Sequence, residues 1–126
     1  MKVGIISFAH LHADAYADAL KQIPYVEFAG IYDEDADRGK AKAEQFGVHH
    51  FTSLEEMLAT DIGAVIICSA NADHCYYTLK AAEAKKHVLV EKPIATNVED
   101  ANKMIDACKK NNVKLQVAFP VRYNPS

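Results

Sequence analysis

Lys92 stands directly after the apolar run His87-Val88-Leu89-Val90, in the sequence Glu91-Lys92-Pro93. A lysine at the end of a buried segment, partly shielded from water, can donate hydrogen bonds to a substrate hydroxyl or to a cofactor ribose. Pro93 fixes the turn, and the bond before it is a candidate for the cis form that would aim the lysine. The plain alternative is a surface lysine opening a loop. Asp33 ends another apolar segment, in Tyr32-Asp33-Glu34-Asp35. It lies about two dozen residues beyond the N-terminal loop, near the spacing at which an acid accepts hydrogen bonds from adenosine ribose hydroxyls. Adjacent acids would repel a 2′-phosphate, so the pattern favours NAD over NADP. The same residues would serve equally as an N-cap and solvated cluster opening a helix.

Two further groups are weaker. The first apolar run enters Ser7-Phe8-Ala9-His10-Leu11-His12 where a dinucleotide fold would carry GxGxxG. Ser7 and Ala9 keep the smallness of the first two glycines, but His12 fits poorly where a glycine lets helix and sheet pack closely. Ser69-Ala70-Asn71, with His74 soon after, closes another run, and Asn71 would serve as a helix N-cap. No metal site is expected. His10 with His12, and His49 with His50, do not converge on one helix face, and no carboxylate or cysteine in sequence completes a ligand set.

The elements that must position these residues alternate from the first residue. Continuous β-branched runs at Val3–Ser7, Val26–Asp33, His49–Phe51, Ala64–Cys68, His87–Glu91 and Lys114–Phe119 suit strands buried on both faces. Between them lie helix-period segments. Leu11, Ala15, Ala19 and Ile23 outline one; Ala36, Ala43 and Phe46 a second; Ala72, Tyr76, Leu79 and Ala82 a third; Val98, Ala101, Ile105 and Cys108 a fourth. Ser53 with Glu56 reads as a capping box, and Asn97 before Glu99 and Asp100 as an N-cap. Alternating strands and helices predict a doubly wound parallel α/β sheet, a Rossmann fold, with ligands at the carboxyl ends of the strands. One dinucleotide-binding domain is expected over residues 1–119. Residues 120–126 read as the start of a connection.

The 126 residues are 50% hydrophobic and 25% charged, the balance of a water-soluble globule, and the formal charge of −3 offers no basic surface for nucleic acid. No apolar run approaches the roughly 18 residues of a membrane span, and the N-terminal run is too short for a signal peptide. Cys68, Cys75 and Cys108 lack CxxC spacing and suit buried thiols in the cytoplasm.

Taken together, these residues resemble the N-terminal domain of the Gfo/Idh/MocA family, the glucose-fructose oxidoreductase and inositol dehydrogenase type. The resemblance rests on Ser69-Ala70-Asn71 to His74, on Lys86-His87-Val88-Leu89-Val90-Glu91-Lys92-Pro93 with its EKP motif, and on Val117 to Pro125. It implies hydride transfer between nicotinamide and a carbinol carbon of a sugar, cyclitol or related polyol, with Lys92 contacting substrate and cofactor. It implies that Asp33 holds the adenosine ribose and that Ser7, Phe8, Ala9, His10 and Leu11 line the pyrophosphate. Ser69, Asn71, His74 and Glu91 would lie along the nicotinamide half, and Arg122 would enter from the exit segment. The family's companion acid and base belong to a C-terminal α/β domain that this chain does not reach. The resemblance therefore implies a homo-oligomer for the whole protein and little turnover by these residues alone. Ala70 stands in place of a usual proline, and Lys85 where a glycine usually ends a helix.

Two rivals remain in view. A response-regulator receiver shares the length and a Lys-Pro after the fifth strand, but it needs acids after the first and third strands, where this sequence has Ser7, Phe8 and Phe51. A nucleotide-binding or regulatory protein that keeps the fold without the chemistry is the stronger alternative.

Overall fold

The computed structural model describes residues 1–118, so the connection at 120–126 and Arg122 lie outside the described residues. Six strands form where the β-branched runs stand: β1 (Lys2–Ile6), β2 (Glu27–Tyr32), β3 (His49–Phe51), β4 (Ala64–Ile67), β5 (His87–Glu91) and β6 (Leu115–Ala118). All pair in parallel in the order β3-β2-β1-β4-β5-β6. The order reverses between β1 and β4, which opens a crevice beyond their carboxyl ends. Helices α1 (Ala13–Gln22), α2 (Ala36–Phe46), α3 (Leu54–Leu58), α4 (His74–Glu83) and α5 (Val98–Lys110) make the crossovers.

Alternation along the strands divides the core in two. Ile5 and Ile66 face a cluster with Ala13, Ala17, Leu20 and Ala43 of α1 and α2. Ile6, Val65 and Ile67 face the opposite cluster, with Met57, Tyr77, Ala81, Met104 and Cys108 of α3, α4 and α5. Strands with both faces buried have to be apolar throughout, which is why they read as continuous runs.

The expected helix stripes need correction. In α1 the buried residues are Ala13, Ala17 and Leu20, whereas Leu11 is 81% exposed. In α4 they are His74, Tyr77, Thr78, Ala81 and Ala82, and Tyr76 is exposed. In α5, Met104 and Cys108 are buried while Val98 and Ile105 face out. Ala36 is exposed in α2. Alanines at many positions of α1 and α4 leave the apolar pattern without a clear phase, and small residues are chosen where a helix lies close on the sheet.

The caps form at the expected residues, but only half of the Ser53 capping box closes, because the Glu56 carboxylate accepts from the Thr52 hydroxyl at 3.4 Å. Ser53 Oγ accepts from the Glu56 amide at 3.1 Å, and Asn97 Oδ1 accepts from the Asp100 amide at 2.7 Å. Lys85 has φ 64° at the end of α4, where the Lys86 and Lys85 amides close onto Ala81 and Ala82. A left-handed residue there costs about 1 kcal/mol without glycine. Gly39 of α2 meets a different demand: a Cβ would sit 2.9 Å from the Asp33 Cβ and 3.0 Å from His50 Nε2. That close approach seats α2 against the end of β2. Among the described residues no helix is long and apolar enough to cross a membrane.

Candidate functional site

The carboxyl ends of β1, β2, β4 and β5 bring the expected residues to one edge of the sheet. At the end of β2, Asp33 is only 4% exposed. Its carboxylate accepts from the Phe8 amide at 2.9 Å, the Asp35 amide at 2.9 Å, and Arg38 through Nε at 2.8 Å and Nη2 at 2.7 Å. Burial alone would raise its pKa; the Arg38 bonds and the two amides outweigh burial and hold it below the usual carboxylate value. Arg38 also reaches Glu34 at 3.2 Å. Within the expected acidic cluster, Asp33 is therefore neutralised by a guanidinium, while Glu34 and Asp35 leave the strand end acidic. Sequence reasoning missed Arg38, although a basic residue in the first turn of α2, opposed to the helix dipole, was a visible signal.

The β1–α1 loop is tied inward. Ser7 has φ 75° and is fully buried, so its backbone takes the conformation a first glycine would supply. Its hydroxyl donates to Glu34 at 2.9 Å and accepts from the Ala9 amide at 3.1 Å. The Phe8 amide goes to Asp33, the His10 amide to the Cys68 carbonyl at 2.8 Å, and the His12 amide to His10 Nδ1 at 3.1 Å. Phe8 itself is a core residue, stacked near Phe46. Leu11 projects outward at the head of α1.

At the end of β5, Glu91 has no exposure at all. Tyr16 of α1 donates to its Oε1 at 2.7 Å, His12 Nδ1 lies 3.1 Å from the same oxygen, and the Lys92 amide donates to Oε2 at 3.2 Å. The side chain of Lys92 is exposed rather than shielded, and the Lys92–Pro93 bond is cis. The expectation that no carboxylate stands with His10 and His12 is overturned, because the fold carries Glu91 to them: one ligand atom of each lies within 4.8 Å of the others. Neither that convergence nor Tyr16 was legible, since the partners lie on different elements.

The exit of β4 is structural in its contacts. His74 is fully buried, with Nδ1 2.8 Å from the Pro93 carbonyl and Nε2 3.2 Å from the Ser69 carbonyl. It ties the β4 exit to the turn bearing Lys92. Ser69 is buried and its hydroxyl donates to the Ala70 carbonyl. Asn71 is exposed in a 3₁₀ turn, Asn71–Asp73, and caps neither that turn, whose N-cap is Ala70, nor α4, whose N-cap is Asp73. The three cysteines are free, and burial, then the Glu91 charge, pushes the Cys68 thiol far up. A shallow concavity of about 370 Å³, lined by Met1, Ala64, Leu89 and Gln116 among others, contains none of the expected residues.

Comparison with known proteins places this arrangement. Residues 1–119 match the profile of the GFO_IDH_MocA oxidoreductase family, NAD-binding Rossmann fold. An uncharacterized oxidoreductase of Rhizobium meliloti is 34% identical over 99% of this chain and 38% of its own length. A scyllo-inositol 2-dehydrogenase (NADP(+)) of Bacillus subtilis is 34% identical over 90% of this chain and 35% of its own. Among solved structures, a 3-ketoreductase of Actinomadura kijaniata, in complex with TDP-benzene and NADP, superposes with a TM-score of 0.90 at 27% identity. The superposition covers 99% of this chain and 40% of that one. The chain thus spans well under half the length of the relatives it matches.

Proposed function

The chain belongs to the Gfo/Idh/MocA oxidoreductase family, as its NAD(P)-binding Rossmann domain, and from that premise we propose that the protein transfers a hydride between nicotinamide and the carbinol carbon of a sugar, cyclitol or related polyol. The observation that carries the reading is the end of β5: Lys92 stands exposed at the carboxyl edge beside the β1/β4 crevice, on a turn held by Glu91 and His74. The names of the relatives, an inositol dehydrogenase and a ketoreductase, support the substrate class.

The residues present fit a dinucleotide. Asp33 would accept the adenosine ribose once Arg38, which now occupies its carboxylate and is partly exposed, turns aside; Ser7 supplies the left-handed turn, and the α1 N-terminus would take the pyrophosphate. The bound dinucleotide supplies the hydride acceptor or donor at its nicotinamide carbon. Lys92 would hydrogen-bond the substrate hydroxyl whose carbon loses or gains the hydride, fixing its distance to that ring and stabilising charge on the oxygen. Glu91, Ser69 and Asn71 would border the nicotinamide half, with His74 as a positioning residue behind the turn. Arg122 belongs to the same proposal as a residue of the exit segment. We assign NAD as the preferred cofactor on the acids at the β2 end. Arg38 narrows that preference, because its guanidinium neutralises Asp33 and can turn to a 2′-phosphate. The proposal extends to a homo-oligomer and a cytoplasmic setting.

One observation favours a second reading, a nucleotide-fold protein without hydride transfer: the amides of Phe8, Ala9, His10 and His12 are all donated within the chain. Reduction of NAD or NADP by a panel of inositols and sugars, measured on the whole protein that carries this domain, decides between them. Lys92→Ala is expected to lower turnover by about 1,000-fold while leaving cofactor affinity within a few-fold. Unchanged turnover in that variant would remove Lys92 from the chemistry.

A further inference from the structure

His10, His12 and Glu91 are drawn from the β1–α1 loop and the end of β5, and we infer that together they form a binding site for a borderline divalent cation, with Zn²⁺ the natural occupant. One ligand atom from each lies within 4.8 Å of the others. The two imidazole rings are 4.7 Å apart between centroids, and His12 Nδ1 is already 3.1 Å from Glu91 Oε1. Bonds of about 2.0–2.2 Å around a tetrahedral ion place neighbouring donor atoms roughly 3.4 Å apart. Small side-chain rotations therefore close the set. His10 and His12 are only half-buried, so an ion has a path from solvent.

Charge points the same way. Glu91 is wholly buried, and a buried carboxylate calls for a compensating positive charge. Among the described residues no lysine or arginine pairs with it; the partner is the His12 imidazole, which is charged only when protonated. A dication held by both histidines would supply that charge with the imidazoles neutral. Tyr16 then serves as an outer partner, its hydroxyl at 2.7 Å orienting the Glu91 carboxylate. His10 Nδ1 now accepts the His12 amide, and that lone pair would exchange the hydrogen bond for the metal. Two histidines and a glutamate are a borderline ligand set that favours Zn²⁺ or Co²⁺ over Mg²⁺. Three protein ligands leave a fourth position open, as in sites that bind water or a substrate oxygen. His10 and Glu91 also belong to the proposed dinucleotide edge, so ion and dinucleotide would meet there, but the ligand set itself is read from the three side chains alone.

The test is titration of the chelator-stripped full chain with Co²⁺, followed by visible d–d absorption. The expected result is one equivalent bound with the intense spectrum of a tetrahedral centre, displaced by Zn²⁺. His10→Ala should weaken Co²⁺ by more than about 100-fold, and Glu91→Gln should do the same, with folding of both variants checked by circular dichroism. His50→Ala should leave the spectrum intact. Absence of the tetrahedral spectrum, or an unchanged spectrum in His10→Ala, overturns the site. NAD and NADP titrations on the same stripped protein separate the outcomes: dinucleotide binding without Co²⁺ binding sinks the metal site alone.

Discussion

Two buried carboxylates at the same edge of the sheet are satisfied in opposite ways. Asp33, after β2, meets a permanent cation through two guanidinium bonds and takes two backbone amides as well. Glu91, at the end of β5, has an equally buried side chain, yet its partners are a tyrosine hydroxyl, one backbone amide and a histidine ring rather than a lysine or arginine. The Asp33 charge is therefore balanced inside the chain by a fixed cation. The β5 end is open, because it can still accept a positive charge from outside. A binding edge built this way holds one end fixed and leaves the other responsive.

Arg38→Ala should produce the largest change in stability, since it leaves the Asp33 carboxylate buried without its cation. A fully buried pair would lose 3–5 kcal/mol; Arg38 is 32% exposed, so about 2 kcal/mol is expected in denaturant unfolding. The same variant should shift cofactor preference further toward NAD if the guanidinium is what tolerates a 2′-phosphate. A loss below about 0.5 kcal/mol would mean that the amides alone satisfy Asp33 and would erase the contrast. Tyr16→Phe removes one hydrogen bond to Glu91 and leaves the rest, so a loss of about 1.5 kcal/mol is expected, smaller than at the β2 end. The reverse order would place the tighter charge balance at β5.

The smallest effect concerns acid. Because the folded-state pKa of Asp33 lies below its ordinary 3.8, its stabilisation is complete above that value and is lost as the pH falls through the lowered folded pKa. Asp33→Asn should accordingly flatten the fall of stability below about pH 4, measured by urea unfolding across the acid range. An equally steep fall in the variant would assign the acid sensitivity to other carboxylates.

How much of this was legible depends on whether the signal was local. The strands and the Ser53 and Asn97 caps each depend on residues within a few positions of one another, and the sequence pattern located them, whereas the left-handed Lys85 was pointed to by the family resemblance. The face of α1 was misjudged because Ala13, Ala15, Ala17 and Ala19 give no phase, and only contact with the sheet picks Ala13, Ala17 and Leu20. Site residues were legible as polar residues at strand ends. Their pairings were not: Tyr16 and His12 reach Glu91 only through the parallel order that sets β1 two strands from β5. Asp33 was recognised, but its charge was misjudged because Arg38 returns to it from the first turn of α2.

The central claim, that this edge of the sheet holds a nicotinamide dinucleotide with Asp33 at the ribose, is tested most directly by calorimetric titration of the chain with NAD and NADP, beside Asp33→Ala. Saturable binding of NAD, tighter than NADP and weakened at least about tenfold in the variant, a loss of some 1.4 kcal/mol, is the predicted result. No binding of either dinucleotide, or equal binding by the variant, would contradict it.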